Sequence, residues 1–132
     1  MTRTIDTRFF IRHFTADTKD LKIRTGRRMR ELREEPAIIP TIVIHELYKH
    51  QCESLGKETA ETRTTLIIKS GFRIVALDLE VAKRAAELRC KHPKLPTADA
   101  IIAATAIPAR SIRVVTDDPH FQTLREIRTE WL

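Results

Sequence analysis

Acidic residues from four separate parts of this chain fall where carboxylates can do chemistry: Asp6, Glu46, Asp99 and the pair Asp117–Asp118. Each lies at the end of a predicted strand or in the opening turns of a predicted helix. Functional crevices of open α/β sheets lie beyond the carboxyl ends of their strands, so these acids can meet on one edge. Carboxylates held that close repel one another, and their pKa values rise. A divalent cation resolves the conflict. Mg²⁺ and Mn²⁺ are hard ions that take carboxylates, waters and substrate phosphate as ligands. Such a site activates water, orients a phosphodiester and stabilises the leaving oxygen. Taken singly, each acid is an ordinary cap or turn residue. Their coincidence at corresponding element ends is what argues for a shared site.

The elements that must position these acids follow from the apolar pattern. Arg3–Asp6 is β-permissive and is followed at once by a helical pattern through Phe9, Phe10, Ile11 and Phe14. A second helix is expected over Leu21–Glu34, with Leu21, Met29 and Leu32 facing inward. Pro36–Pro40 is a short buried strand bounded by prolines. Thr41 is expected to cap a third helix, whose apolar seam Ile44, Leu47, Tyr48, Cys52 and Leu55 has amphipathic spacing. Gly56 ends or bends it. A helix over Thr59–Ile68 stops at Ser70-Gly71, and Phe72–Ala76 is a strand. Asp78 caps the next helix, with Leu79, Ala82, Ala85, Ala86 and Leu88 on one face, and Lys91–Lys94 is a basic loop.

Leu95–Pro108 is the most distinctive stretch. Ala100, Ile101, Ile102, Ala103, Ala104, Ala106 and Ile107 cover every side of a helix, and a helix apolar all round is a buried one. Thr97 is expected to cap it and Pro108 to close it. Its one charge, Asp99, must be solvated, paired or metal-bound, because a bare buried charge is costly. Its helix N-terminus lowers that cost. Strand Ile112–Val115 and an edge strand within Ile127–Leu132 complete the chain. Alternating strands and helices predict a parallel sheet with helices on both faces, in one domain spanning 1–132.

Composition narrows the function classes. The 132 residues suit one domain, and 42% hydrophobic content supports a core of Ile, Leu, Val and Ala. No apolar run approaches the roughly 20 residues of a membrane span. The chain start lacks a secretory signal's apolar stretch, so a cytoplasmic protein is expected. Cys52 and Cys90 have no CxxC spacing and are expected to be reduced core thiols. The net charge of +6 favours polyanionic partners. Lys22, Arg24, Arg27, Arg28, Arg30 and Arg33 form a basic segment that reads as a solvated helix face, a phosphate rim or a partner surface.

Other chemistries lack support. His45 and His50 flank an HExxH-like run with one residue too many, which turns them about 140° apart on a helix. His13, His92 and His120 have no ligand spacing and are expected at the surface or satisfied. No phosphate-cradling glycine loop and no nucleophile elbow occur.

The motifs Ile5-Asp-Thr7, Ile44-His-Glu-Leu47, Pro96–Ala106 and Val115–Phe121, in this order and spacing, resemble the PIN-domain family, most closely the VapC-type ribonuclease toxins of prokaryotic toxin–antitoxin pairs. The resemblance spans nearly the whole chain and implies a Rossmann-like three-layer α/β/α fold with a central parallel sheet. It implies RNA cleavage dependent on Mg²⁺ or Mn²⁺, a homodimer and inhibition by a cognate antitoxin. By motif position Asp6, Glu46, Asp99 and Asp118 match the acidic quartet. Thr116 matches a small hydroxyl residue beside the last acid, and Asp117 fills a variable position. Arg8–Arg12 departs from the family's aliphatic run in being basic and aromatic.

On that resemblance, Asp6, Asp99 and Asp118 are expected to hold the metal, and Glu46 to complete the cluster directly or through water and help orient the attacking hydroxide. One alternative is a non-catalytic RNA-binding or assembly module that keeps the fold; the complete quartet argues against it. Another is a receiver-like phosphoacceptor, whose acid pair belongs early in the chain, whereas Asp117–Asp118 is late.

Overall fold

Short runs rich in β-branched residues become the strands β1 (Arg3–Ile5), β2 (Ala37–Pro40), β3 (Arg73–Val75), β4 (Arg113–Val115) and β5 (Arg128–Glu130). These elements come from a computed structural model that describes residues 2–110 and 113–132. All neighbouring strands are parallel, in the order β3-β2-β1-β4-β5. The strand order therefore reverses on either side of β1, and β1 and β4 flank the switch point where such sheets bind ligands. Both strands bury Ile5, Val114 and Val115 completely. The expected strand start Ile112 lies outside the described residues.

Six helices connect the strands: α1 (Thr7–Phe14), α2 (Lys19–Glu34), α3 (Thr41–Leu55), α4 (Lys57–Ile68), α5 (Leu79–Lys91) and α6 (Thr97–Ala106). Helices on the two faces of the parallel sheet give the expected α/β/α layering. Helix α1 is held from both sheet edges by aromatic contacts. Phe9 meets Trp131, beyond β5, with ring centroids 6.1 Å apart, and Phe10 meets Phe72, before β3, at 6.3 Å. Both phenylalanines are fully buried, so the residues at the start of α1 are fixed against the sheet.

Helix α6 packs against β1, β2 and β4. Ala100, Ile102, Ala103, Ala104 and Ala106 are all fully buried in it, as its all-round apolar sequence requires. Its cap differs from expectation. Pro96 occupies the N-cap and Thr97 is already helical, with no side-chain cap bond. A proline just before a helix supplies a preset φ but no capping oxygen. Thr41 departs in the same way: Pro40 is the N-cap, and the Thr41 hydroxyl accepts instead from the Leu77 backbone N–H at 3.2 Å. Asp78 caps α5 as expected, accepting from the Val81 N–H at 2.9 Å.

Two inward faces are also corrected. The buried side of α3 is Val43, Leu47 and Gln51, an i, i+4, i+8 row, while Ile44, Tyr48 and Cys52 are only half-buried and Leu55 is exposed. On α5 the buried row is Val81, Ala85 and Leu88; Leu79, Ala82 and Ala86 face solvent. Lys91 ends α5 and is not in a loop. In α2, Met29 and Leu32 are buried and Leu21 is half-buried. Both cysteines are free, but neither is core: Cys52 is half-buried and Cys90 exposed. Gly56, at φ +93°, separates α3 from α4 in a conformation that glycine alone adopts at little cost.

Candidate active site

The carboxyl ends of β1 and β4 are tied together before any side chain is considered. The Asp6 N–H donates to the Val115 carbonyl at 3.2 Å, continuing the β1–β4 ladder by one residue. Asp6 then takes the N-cap position of α1 without capping it, which leaves its carboxylate for other partners. One is Thr116, whose hydroxyl donates to Asp6 Oδ2 at 2.6 Å. The same hydroxyl accepts from the Asp118 backbone N–H at 3.0 Å. Thr116 is thus the joint between two acids that are 112 positions apart in sequence.

Glu46 reaches the site from α3. Its Oε1 accepts from the Thr7 hydroxyl, on the first residue of α1, at 2.7 Å. Asp99, in the first turn of α6, is buried. Asp118 precedes a short 3₁₀ turn, Pro119–Thr123, and its Oδ1 accepts from the His120 N–H at 2.9 Å. The His120 ring folds back over the same carboxylate, with Nδ1 2.7 Å from Asp118 Oδ1 and 3.5 Å from Asp99 Oδ2. Carboxylate oxygens of Asp99 and Asp118 and a ring nitrogen of His120 lie within 4.8 Å of one another.

Asp6, Glu46, Asp99 and Asp118 line a single open cleft of about 520 Å³, together with Thr7, Arg8, Lys49 and His50. Crowding and burial show in the titration of the two deepest acids. The Asp6 carboxyl is pushed up to about 6, chiefly by burial and further by Glu46 and Asp118, against the hydrogen bond from Thr116. The Asp99 carboxyl is pushed up to about 7, again chiefly by burial and then by the negative charges of Asp118 and Asp6. Packing has thus forced together acids that resist ionising together. A hard cation with oxygen ligands fits such a set, because it supplies the missing positive charge.

Asp117 does not line the cleft. It turns to α1, where Arg8 Nε donates to its Oδ1 at 2.5 Å and Arg12 approaches its Oδ2 at 3.6 Å. The basic and aromatic run at Arg8–Arg12 thereby acquires a structural partner. Lys22, Arg24, Arg27, Arg30 and Arg33 are exposed on α2 and line no part of the cleft, whereas Arg28 is drawn inward to Glu130. His120 is exposed and hydrogen-bonded, as expected, but it also stands beside the acids, brought there by the tight turn after Asp118, and only a prediction of that turn would have revealed it.

A family model for the PIN domain matches residues 4–127. The chain belongs to the PIN-domain family. Solved structures with the same fold include VapBC2 of Rickettsia felis bound to promoter DNA, at 18% identity and a TM-score of 0.77, covering 100% of this chain and 99% of that one. VapC20 of Mycobacterium tuberculosis, described as a Sarcin-Ricin loop cleaving toxin, gives 14% identity and 0.76, covering 93% and 94%. A toxin–antitoxin complex from Klebsiella pneumoniae gives 25% identity and 0.67, covering 96% of each chain. Among curated proteins, no sequence matches this PIN domain. Among the described residues, no helix is long and apolar enough to cross a membrane.

Proposed function

We propose that this PIN domain is a metal-dependent endoribonuclease of the VapC toxin type. The observation that carries the proposal is the convergence of Asp6, Glu46, Asp99 and Asp118 on one cleft, with Asp6 and Asp99 pushed up to about 6 and about 7. Buried acids crowded in this way suit a divalent ion, which supplies the positive charge they lack.

Asp6, Asp99 and Asp118 would hold Mg²⁺ or Mn²⁺. When bound, the ion supplies a Lewis acid that offsets the charge of the carboxylates and of the RNA phosphate. Thr116 fixes the Asp6 carboxylate against the Asp118 backbone, so these two acids are spaced before substrate arrives. His120 engages Asp118 Oδ1 and keeps that carboxylate turned toward Asp99. Thr7 holds Glu46 Oε1, which leaves Oε2 to accept the proton of an attacking water. The water oxygen bonds to phosphorus, the bond from phosphorus to the leaving ribose oxygen breaks, and that oxygen takes up a proton.

The partners follow from the same proposal. The substrate is RNA, drawn by a net charge of +6. A cognate antitoxin is the expected protein partner, since relatives of this fold were solved as toxin–antitoxin complexes. The protein works as a cytoplasmic homodimer, read from the family resemblance. Incubation of the purified protein with total RNA in Mg²⁺ or Mn²⁺ tests the activity. Fragments that vanish in EDTA and return when metal is restored are expected; metal-independent binding without fragments would favour a non-catalytic module.

A further inference from the structure

Gln51 is a polar side chain that is completely buried in the inward row of α3, and both ends of its amide are engaged. From α4, the Arg63 guanidinium donates through Nη1 to Gln51 Oε1. Arginine has no acceptor, so the amide atom facing it must be the carbonyl oxygen. The amide nitrogen is then turned the other way, where Gln51 Nε2 lies 2.9 Å from His50 Nδ1. That nitrogen is a donor, so His50 Nδ1 must accept. In neutral imidazole the proton consequently resides on Nε2. Arg63 is itself fixed: its guanidinium stacks over the Phe14 ring of α1, 5.0 Å from the centroid.

Phe14, Arg63 and Gln51 thus form a chain across three helices that ends at His50. His50 lines the acidic cleft, one helical turn beyond Glu46, about 6 Å along the axis. Its Nε2 makes no hydrogen bond among the described residues. The neighbouring cations Lys49 and Arg8 are each drawn to an acid, Lys49 to Glu53 at 2.6 Å and Arg8 through Nε to Asp117 at 2.5 Å, and the exposed His45 makes no side-chain hydrogen bond among the described residues. We propose that His50, set as the Nε2–H tautomer by Arg63 and Gln51, is a substrate-binding residue that donates to a phosphate oxygen of the RNA next in line to the phosphate at the acidic cluster. The inference rests on the ribonuclease proposal for its ligand, but the tautomer does not. An Nε2–H donor suits this position because Gln51 fixes the ring from the other side while the N–H is left to grip one phosphate oxygen.

Two measurements test it separately. Long-range proton–nitrogen correlation spectra of ¹⁵N-histidine-labelled protein identify which ring nitrogen carries the proton. The Nε2–H form is expected for His50, with mixed tautomers in Gln51→Leu or in the less disruptive Arg63→Met. A predominant Nδ1–H form in the wild type overturns the relay. Binding of a fluorescein-labelled single-stranded RNA of randomised sequence is then measured in the Asp99→Asn background, where cleavage does not interfere. Adding His50→Ala should weaken binding about tenfold, while His50→Gln, which keeps an N–H donor, should stay within about threefold. Unchanged binding in His50→Ala overturns the proposal. Cleavage by the wild type with binding indifferent to His50 would reject the His50 site and keep the ribonuclease. Binding that depends on His50, in a protein that cuts no RNA, would do the reverse.

Discussion

The Thr116 hydroxyl donates to Asp6 at 2.6 Å and accepts from the Asp118 backbone N–H at 3.0 Å, so one side chain sets the spacing of two acids from opposite ends of the chain. Its hydrogen bond also opposes the burial that pushes the Asp6 carboxyl up. Thr116→Val removes both effects while nearly preserving shape. The expected outcome is a 10- to 100-fold higher Mn²⁺ concentration for half-maximal cleavage, about the range for lost support of a ligating group. Thr116→Ser should restore most of it. Equal metal titrations for Thr116→Val and the wild type would contradict the role.

Metal-free protein should lose stability as pH rises through the window from about 4 to about 7. Asp6 and Asp99 titrate at about 6 and about 7 when folded, above the ordinary 3.8. Within that window the folded state holds protons that the unfolded chain has released, so raising pH favours unfolding. Thermal melts in EDTA should therefore show a fall from pH 5 to pH 7.5 that Asp99→Asn reduces. Mn²⁺ at pH 7.5 should raise the wild-type Tm and leave the Asp99→Asn variant nearly unmoved. A metal-free profile unaffected by Asp99→Asn would argue against the crowding of these acids.

Glu130 carries an opposite linkage outside the cleft. Burial pushes its carboxyl up, but Arg3 and Arg28 outweigh that and hold it below the ordinary range. Arg3 Nε donates to Oε1, Arg28 does so at 2.6 Å, and Arg113 approaches Oε2 at 3.5 Å. This contribution is present above the ordinary carboxylate range and is lost as pH falls through the depressed value. Glu130→Gln should cost about 1–3 kcal/mol at pH 7 in urea unfolding and progressively less in acid, with cleavage unchanged. A cost independent of pH would show that packing, not charge, is what Glu130 supplies.

The parts of the site that were legible in the sequence are those that local pattern controls. Asp6 and Asp118 follow β-branched runs, and Asp99 opens a helix with no polar face, so their places at the sheet edge follow from strand ends and periodicity. The unexpected parts depend on long-range pairing. Gln51 breaks the apolar seam of α3 yet is buried, because Arg63 and His50 satisfy its amide. Asp117 is indistinguishable from Asp118 by local pattern; Arg8 and Arg12, more than a hundred residues away, turn it aside. Thr97 and Thr41 have the right type for caps, but the prolines before them take the cap position. His120 enters the site through a tight turn whose geometry the spacing of histidines does not encode.

The central claim is that the acidic cleft cuts RNA, and Asp99→Asn tests it most directly. The substitution is nearly isosteric and removes the charge that Asp118 and Asp6 repel, so the variant should fold at least as stably as the wild type in the absence of metal. Cleavage of total RNA in Mn²⁺ by equal amounts of the two folded proteins is the measurement. A loss of about 100-fold or more is expected in the variant, with its circular dichroism intact. Equal cleavage by wild type and folded Asp99→Asn would contradict it.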